Sequence, residues 1–149
     1  MVVDNEEVEP SLDYTFASGG YHTVKFWINL TGCYSLDEMF YDVIYMNSIT
    51  FTENFDTSRI TSMDKMFYYC IELTSLNLSI WNTQNLRSLN YFSFYGSFLT
   101  SVDLSNWNTT NVRSFNYMFE YCWSLTSLNL SNFNTENAQS MSYMFHGCV

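Results

Sequence analysis

The side chains best equipped for chemistry in this 149-residue sequence are four cysteines, two histidines and a recurrent set of aromatics. Cys70, Cys122 and Cys148 fall on one 26-residue spacing with Gly96 at the missing place, and Cys33 stands outside it. None of them forms the CxxC pairs of a zinc site, so the spacing points to a column of buried thiols behaving as small hydrophobes. A Cys122–Cys148 disulfide is the alternative, disfavoured because stacked side-chain vectors run parallel. His22 and His146 are far apart, and no Ser or Cys is placed beside either to make a nucleophile pair. Gly19-Gly20 leads into a strand-like stretch, whereas glycines that cradle phosphate lead into helices. No catalytic residue, metal site or cofactor is therefore expected, and the chain does not read as an enzyme.

The remaining chemistry is recognition. Tyr69, Tyr95 and Tyr121 recur at the same interval as the cysteines, and the positions beside them change from copy to copy. Tyr68 becomes Phe94, Glu120 and His146; Ile71 becomes Ser97, Trp123 and Val149; Glu72 becomes Phe98 and Ser124. Leu76, Val102 and Leu128, by contrast, stay apolar, as a shared core demands. Tyr and Trp offer rigid amphipathic contact area, so Tyr68, Tyr69, Phe94, Tyr95, Phe98, Glu120, Tyr121 and Trp123 are the candidate ligand-binding residues. The plainer alternative is that these rings only wrap the outer edge of each copy. Two asparagine columns, Asn82-Asn108-Asn134 above Asp56 and Asn85-Asn111-Asn137, suit a ladder that satisfies turn amides and carbonyls. Calcium would need more carboxylates than that single Asp.

Positioning those columns requires copies stacked in register. The stretch from Leu99 to Ser124 has counterparts before and after it: Trp107 answers to Trp81, Phe55 and Phe133. Such a period marks an array in which each copy buries its apolar face only against its neighbours. Within a copy, LTSLNLS sets Leu73, Leu76 and Leu78 against Ser75, Asn77 and Ser79, the alternation of a short strand. SFNYMFEYC brings Phe115, Met118, Phe119 and Cys122 to one side at spacings of three and four, which predicts one to two turns of helix. The expected fold is an α/β repeat: a leucine-rich-repeat-like right-handed solenoid with short parallel strands and one short helix per coil. About four and a half repeats cover 32–149, and truncation at the C-terminus is expected because a solenoid's last coil needs a polar cap. Period-two alternation on both sides of Ser18-Gly19-Gly20 predicts a β-hairpin cap over 12–31, and 1–11 reads as an acidic flexible lead-in. The net charge of −10, with only five Lys and Arg in all, gives no basic stripe and no nucleic-acid partner. No run approaches the length of a membrane span, so membrane insertion is not expected, and residues 1–11 lack the features of a signal peptide.

The motifs NWNTTNV, SFNYMFEYC and SLTSLNLSNFNT, all in register, resemble the repeat LTSLDLSNWNTSNVTNMSYMFYGCSS of the BspA-like leucine-rich-repeat surface proteins of bacteria. The resemblance covers residues 33 to 149, and Phe92-Ser93-Phe94-Tyr95-Gly96 departs from its Met-Phe-x-x-Cys. It implies an extracellular or cell-surface adhesin, bacterial or phage-borne, whose partners are host proteins or glycans. The other function expected of such an array is a structural spacer that associates end to end.

Overall fold

Phe115, Met118, Phe119 and Cys122 are all buried, as their spacing requires, yet the backbone that carries them is not helical. Tyr117 and Tyr121 have φ of 58° and 57°, in the left-handed region that ends a helix wherever it occurs. The same two places are left-handed in the other copies: Glu38, Lys65, Tyr91 and Tyr143 at the first, Asp42, Tyr69, Tyr95 and Gly147 at the second. Each left-handed residue closes a tight turn, so the segment is a ribbon of turns. Met118, Glu120 and Cys122 donate their amides three residues back, to the carbonyls of Phe115, Tyr117 and Phe119. The alternate amides of Phe115, Tyr117, Phe119 and Tyr121 point out of the copy and bond the carbonyls of Ser140, Ser142, Met144 and His146 at 2.8–3.0 Å.

In the computed structural model the residues described are 28–148, together with the backbone pairing of β1 (Val2–Val3) with β2 (Glu6–Glu7) and β3 (Val24–Lys25), both antiparallel. Apart from that pairing and residues 28–31, the acidic lead-in expected over 1–11 and the hairpin cap expected over 12–31, His22 among them, lie outside these residues. Among the described residues there is no helix, and the repeats contain only two short strands, β4 (Ser75–Asn77) and β5 (Ser101–Asp103), paired parallel with Leu76 opposite Val102. The expected α/β, leucine-rich-repeat-like right-handed solenoid with a helix in every coil is therefore overturned. The physical reason is where the amides go: a helix would use every one within its own copy, and here half of them hold the next copy.

Single parallel bridges link Ser35, Ser62, Ser88, Ser114 and Ser140 in succession, and the turn ribbon that follows adds four amide–carbonyl bonds to each junction. The step from Ser35 to Ser62 is longer than the later ones by a single residue. Its extra length lies before Phe55, where Phe51 packs edge-on to Trp81 at 4.8 Å. Inside the stack, Met63, Met66, Phe67, Leu86, Phe92, Leu99 and Val112 are fully buried. Trp81 and Trp107 lie nearly parallel, 6.2 Å apart and 15° between planes. Trp107 Nε1 donates to the Leu78 carbonyl at 3.0 Å, whereas Trp81 Nε1 is buried without a partner among the described residues.

Polar ladders close the sides. Asn85, Asn111 and Asn137 each donate a side-chain amide to the preceding copy, at the carbonyls of Ser58, Gln84 and Thr110 (2.7–2.8 Å). Asp64 Oδ1 receives both Ser88 Oγ and the Asn90 amide, and Asn90 Oδ1 receives the same pair, Ser114 Oγ and the Asn116 amide. These side chains are satisfied by backbone and by each other, which is the structural role of such amides.

Left-handed φ costs a residue other than glycine about 1–2 kcal/mol, and Tyr117 offsets it through ring contacts with Tyr91 at 4.5 Å and Tyr143 at 5.2 Å. Tyr117→Ala keeps the strain and loses both contacts, each worth about 0.5–1.5 kcal/mol. Tyr117→Gly loses the same contacts but relieves the strain, which outweighs the extra chain entropy of glycine. In urea unfolding, Tyr117→Gly should be the milder substitution by about 0.5–1 kcal/mol, although it removes more atoms.

Candidate functional site

The two left-handed positions throw their side chains to the outside, and in-register stacking turns them into rows. Tyr69, Tyr95 and Tyr121 form one row, with ring centroids 4.8 and 4.9 Å apart. This is the spacing of neighbouring backbone strands, so the backbone itself sets the pitch of the rings. A second row runs Tyr41-Tyr68-Phe94, 4.9 and 4.8 Å apart with planes within 7° of parallel. Phe94 also meets Tyr95 at 5.2 Å and Tyr121 at 5.8 Å, which joins the rows into one surface. Apart from Tyr41, which is exposed at the row's end, the rings are half-buried because each covers the faces of its neighbours.

Glu120 takes the next place in the second row, where its carboxylate is almost fully buried and receives His146 Nδ1 at 2.9 Å. His146 also stands edge-on to Tyr121 at 5.3 Å and to Tyr143 at 5.4 Å. A buried carboxylate oriented against an imidazole is one part of an acid–base apparatus; among the described residues the neighbouring thiols of Cys122 and Cys148 donate instead to the Ser93 and Phe119 carbonyls. Trp123 is 45% exposed and stands edge-on across Tyr95 at 5.5 Å and Tyr121 at 6.2 Å. Phe98 is 57% exposed and makes no ring contact among the described residues. Seven of the eight residues selected from the sequence thus share one surface, and Phe98 stands apart. At the end of the Tyr69 row Gly147 has φ 76°, and a Cβ there would collide with the Tyr121 ring.

A third row was not selected from the sequence. Tyr91, Tyr117 and Tyr143 stack within 5° of parallel, and Tyr91 meets Tyr68 at 6.2 Å, next to the second row. Its signal was available, since the repeat interval that separates the other tyrosines separates these as well. Below Tyr91 the row holds Lys65, paired with Glu38 at 3.0 Å. That hydrogen bond holds the Lys65 ammonium above its ordinary pKa. Burial against the stack, and then the neighbouring phenols, hold Tyr68 and Tyr117 above theirs.

All four cysteines are free thiols. Cys70, Cys122 and Cys148 each donate to a carbonyl of the preceding copy, those of Phe40, Ser93 and Phe119, at 3.0–3.1 Å. The column is therefore a set of thiol–carbonyl bonds between copies. At Gly96 a Cβ would lie 3.2–3.3 Å from Ser93 Oγ, Cys122 Sγ and Leu99 Cβ, so the missing thiol sits where space is tight. Among the described residues no group of three or more His, Cys, Asp and Glu side chains could hold a metal ion, and no helix is long and apolar enough to cross a membrane.

The sequence model of one protein family, described as Mycoplasma protein of unknown function, DUF285, matches residues 34–149. No curated protein and no solved structure matches the chain.

Burial pushes the Cys70 and Cys122 thiols from the ordinary 9.0 up to about 12. Between those values the unfolded chain has lost the proton and the native chain still holds it, so unfolding becomes easier as pH rises. The stabilisation is complete below pH 9.0 and is lost progressively towards about 12, at up to about 1.4 kcal/mol per pH unit for each thiol. In denaturant unfolding between pH 9 and 11, Cys122→Ala should show a shallower decline than the native sequence.

Proposed function

The chain belongs to the family of that model, DUF285, and on this premise we propose that it is a non-catalytic recognition module. Its partner is a protein at a host or cell surface, bound through the surface of Tyr69, Tyr95, Tyr121 and Trp123. The observation that carries the reading is the pairing of fixed and variable places on one face. Rings recur where the backbone sets a 4.8 Å pitch, and Trp123 and Glu120 break the pattern among them. Large aromatics held rigid by their neighbours lose little entropy on binding, which is what makes Tyr and Trp effective anchors.

The ring geometry favours protein over glycan. A sugar packs its apolar face on an open aromatic face, and the faces in Tyr41-Tyr68-Phe94 are covered by the adjoining rings at 4.8–4.9 Å. What remains outward is ring edges, phenol hydroxyls and the indole of Trp123. The likeness of the repeat to BspA-like leucine-rich-repeat surface proteins supports the cell-surface, adhesive side of the proposal.

Trp123→Ala, at an exposed position, should reduce binding to an array of host-surface proteins at least tenfold while leaving circular dichroism and the unfolding midpoint unchanged. Undiminished binding would refute the site. Retention by glycans alone would refute the choice of a protein partner.

A further inference from the structure

Tyr91 and Tyr117 occupy matching places in adjacent copies, both at left-handed φ, 55° and 58°. The Tyr91 amide bonds the Asn116 carbonyl at 2.8 Å, so the two backbones lie one strand pitch apart and their side chains leave in the same direction. Their rings meet at 4.5 Å between centroids and 4° between planes. Among the described residues no other pair of tyrosines is as close: Tyr69–Tyr95 stands at 4.8 Å, Tyr41–Tyr68 and Tyr95–Tyr121 at 4.9 Å, Tyr117–Tyr143 at 5.2 Å. Described copies lie on both sides of the pair, with the Lys65 place below Tyr91 and Tyr143 above Tyr117, and both rings are half-buried.

Parallel rings that leave matching backbone places lie atom over atom, hydroxyl beside hydroxyl. After burial, the Tyr91 phenol is the next influence that holds Tyr117 above its ordinary pKa. Each ring carbon ortho to an oxygen is then as far from its counterpart as the centroids are, little more than the about 3.5–4.0 Å of ordinary carbon–carbon contact. Closing the remaining gap takes a tilt of one ring. The neighbouring Tyr95–Tyr121 pair, at 49° between planes, shows that a tilted pair fits the same stack.

We propose that Tyr91 and Tyr117 form a site of oxidative phenol coupling, at which a one-electron oxidant of the haem–peroxide class joins the two rings through carbons ortho to their hydroxyls. Each phenol gives one electron to the oxidant and its hydroxyl proton to water. The two ring radicals form a carbon–carbon bond, and the hydrogen on each joined carbon moves to the oxygen beside it, which restores both aromatic rings. Two electrons and two protons leave in all, and they convert one hydrogen peroxide into two waters. Because each radical already faces a ring of its own chain, coupling within the chain outruns coupling between chains. The bond ties adjacent copies through their turn ribbons and closes the loop between residues 91 and 117, which restricts the unfolded chain. The site stands on ring geometry and is independent of the recognition surface.

Treating the dilute full chain with haem peroxidase and limiting hydrogen peroxide tests it. The monomer should lose the mass of two hydrogens and gain the blue fluorescence of a biphenol. Trypsin cuts after Arg87 and Arg113, so the product should join peptide 88–113 to peptide 114–149, with fragmentation placing the bond between Tyr91 and Tyr117. Tyr91→Phe keeps the ring and removes only the hydroxyl. It should lower the yield of the joined peptides at least tenfold with unchanged circular dichroism, whereas Tyr95→Phe should leave that yield unchanged. A bond at Tyr95–Tyr121, coupling mainly between chains, no loss of two hydrogens, or undiminished joined peptides in Tyr91→Phe would overturn the inference. So would the same preference for Tyr91–Tyr117 in the urea-unfolded chain, which would assign it to local sequence and not to the stack.

Discussion

Along the turn ribbon, copies of the repeat are joined by four amide–carbonyl bonds per junction that all run in the same direction, while just before the ribbon Thr61, Arg87, Arg113 and Gln139 donate the opposite way, to the preceding copy. This is possible only because the turn ribbon divides its amides, alternate ones closing turns within the copy and the others leaving it. A strand would point its amides to both sides in alternation, and a helix would point none of them outward. Left-handed residues at two fixed places in each copy produce the division. Each costs about 1–2 kcal/mol when it is not glycine. The compensation comes from the neighbours: hydrogen bonds net about 0.5–1.5 kcal/mol each, and the stacked rings add a similar amount per contact. An isolated copy would have the strain with neither return, so the conformation belongs to the stack and not to the local sequence.

That dependence explains why tyrosine occupies places where glycine would be strain-free. Glycine would relax the backbone and leave nothing to stack, and the Tyr69-Tyr95-Tyr121 and Tyr91-Tyr117-Tyr143 rows replace relaxation with ring contact. Gly147 shows the limit of the trade, since a side chain there would run into the Tyr121 ring. The thiol column follows the same logic from inside. Cys70 and Cys122 reach back to carbonyls of the preceding copy, and their burial holds them protonated at every pH below about 12. They act as donors between copies, a role that disulfide formation would remove.

The register of the array was legible in the sequence because it depends on identity at equal intervals. Trp81 over Trp107, Asn85 under Asn111 and Tyr69 beside Tyr95 needed no knowledge of backbone conformation. The helix was misread for the opposite reason. Phe115, Met118, Phe119 and Cys122 are spaced as on a helix and are indeed all buried, but a ribbon of tight turns brings the same positions to one side. Side-chain spacing reports which residues face inward and is silent on where the amides go. Tyrosine at a left-handed position carries no propensity signal, since asparagine or glycine is the ordinary occupant. The candidate surface divides along the same line: its residues could be named from their variation, while the face-to-face stacking that covers their rings could not. The Tyr91 row was equally legible, since Tyr91, Tyr117 and Tyr143 recur at the interval that marked the Tyr69 row.

Constancy and variation have separate physical origins in this chain. A place in the row that stacks, caps or bonds the neighbouring copy is fixed by both neighbours at once, so exchanging it disturbs two junctions. A place such as that of Ile71, Ser97 and Trp123 bonds the next copy through its main-chain carbonyl, which receives the Phe98 amide at Ile71 and Ser124 Oγ at Ser97, so exchanging its side chain leaves the ladder intact. Trp123 illustrates this: it rests edge-on against Tyr95 and Tyr121, and neither ring needs it for its own stack. Glu120 is the exception that takes a ring's place within a row, and it is tolerated because His146, one copy on, supplies the hydrogen bond that a buried carboxylate requires. A rigid framework with a few unconstrained places on one face can vary there without refolding, and that separation is the physical basis for proposing this face, and not the core or the ladders, as a recognition surface.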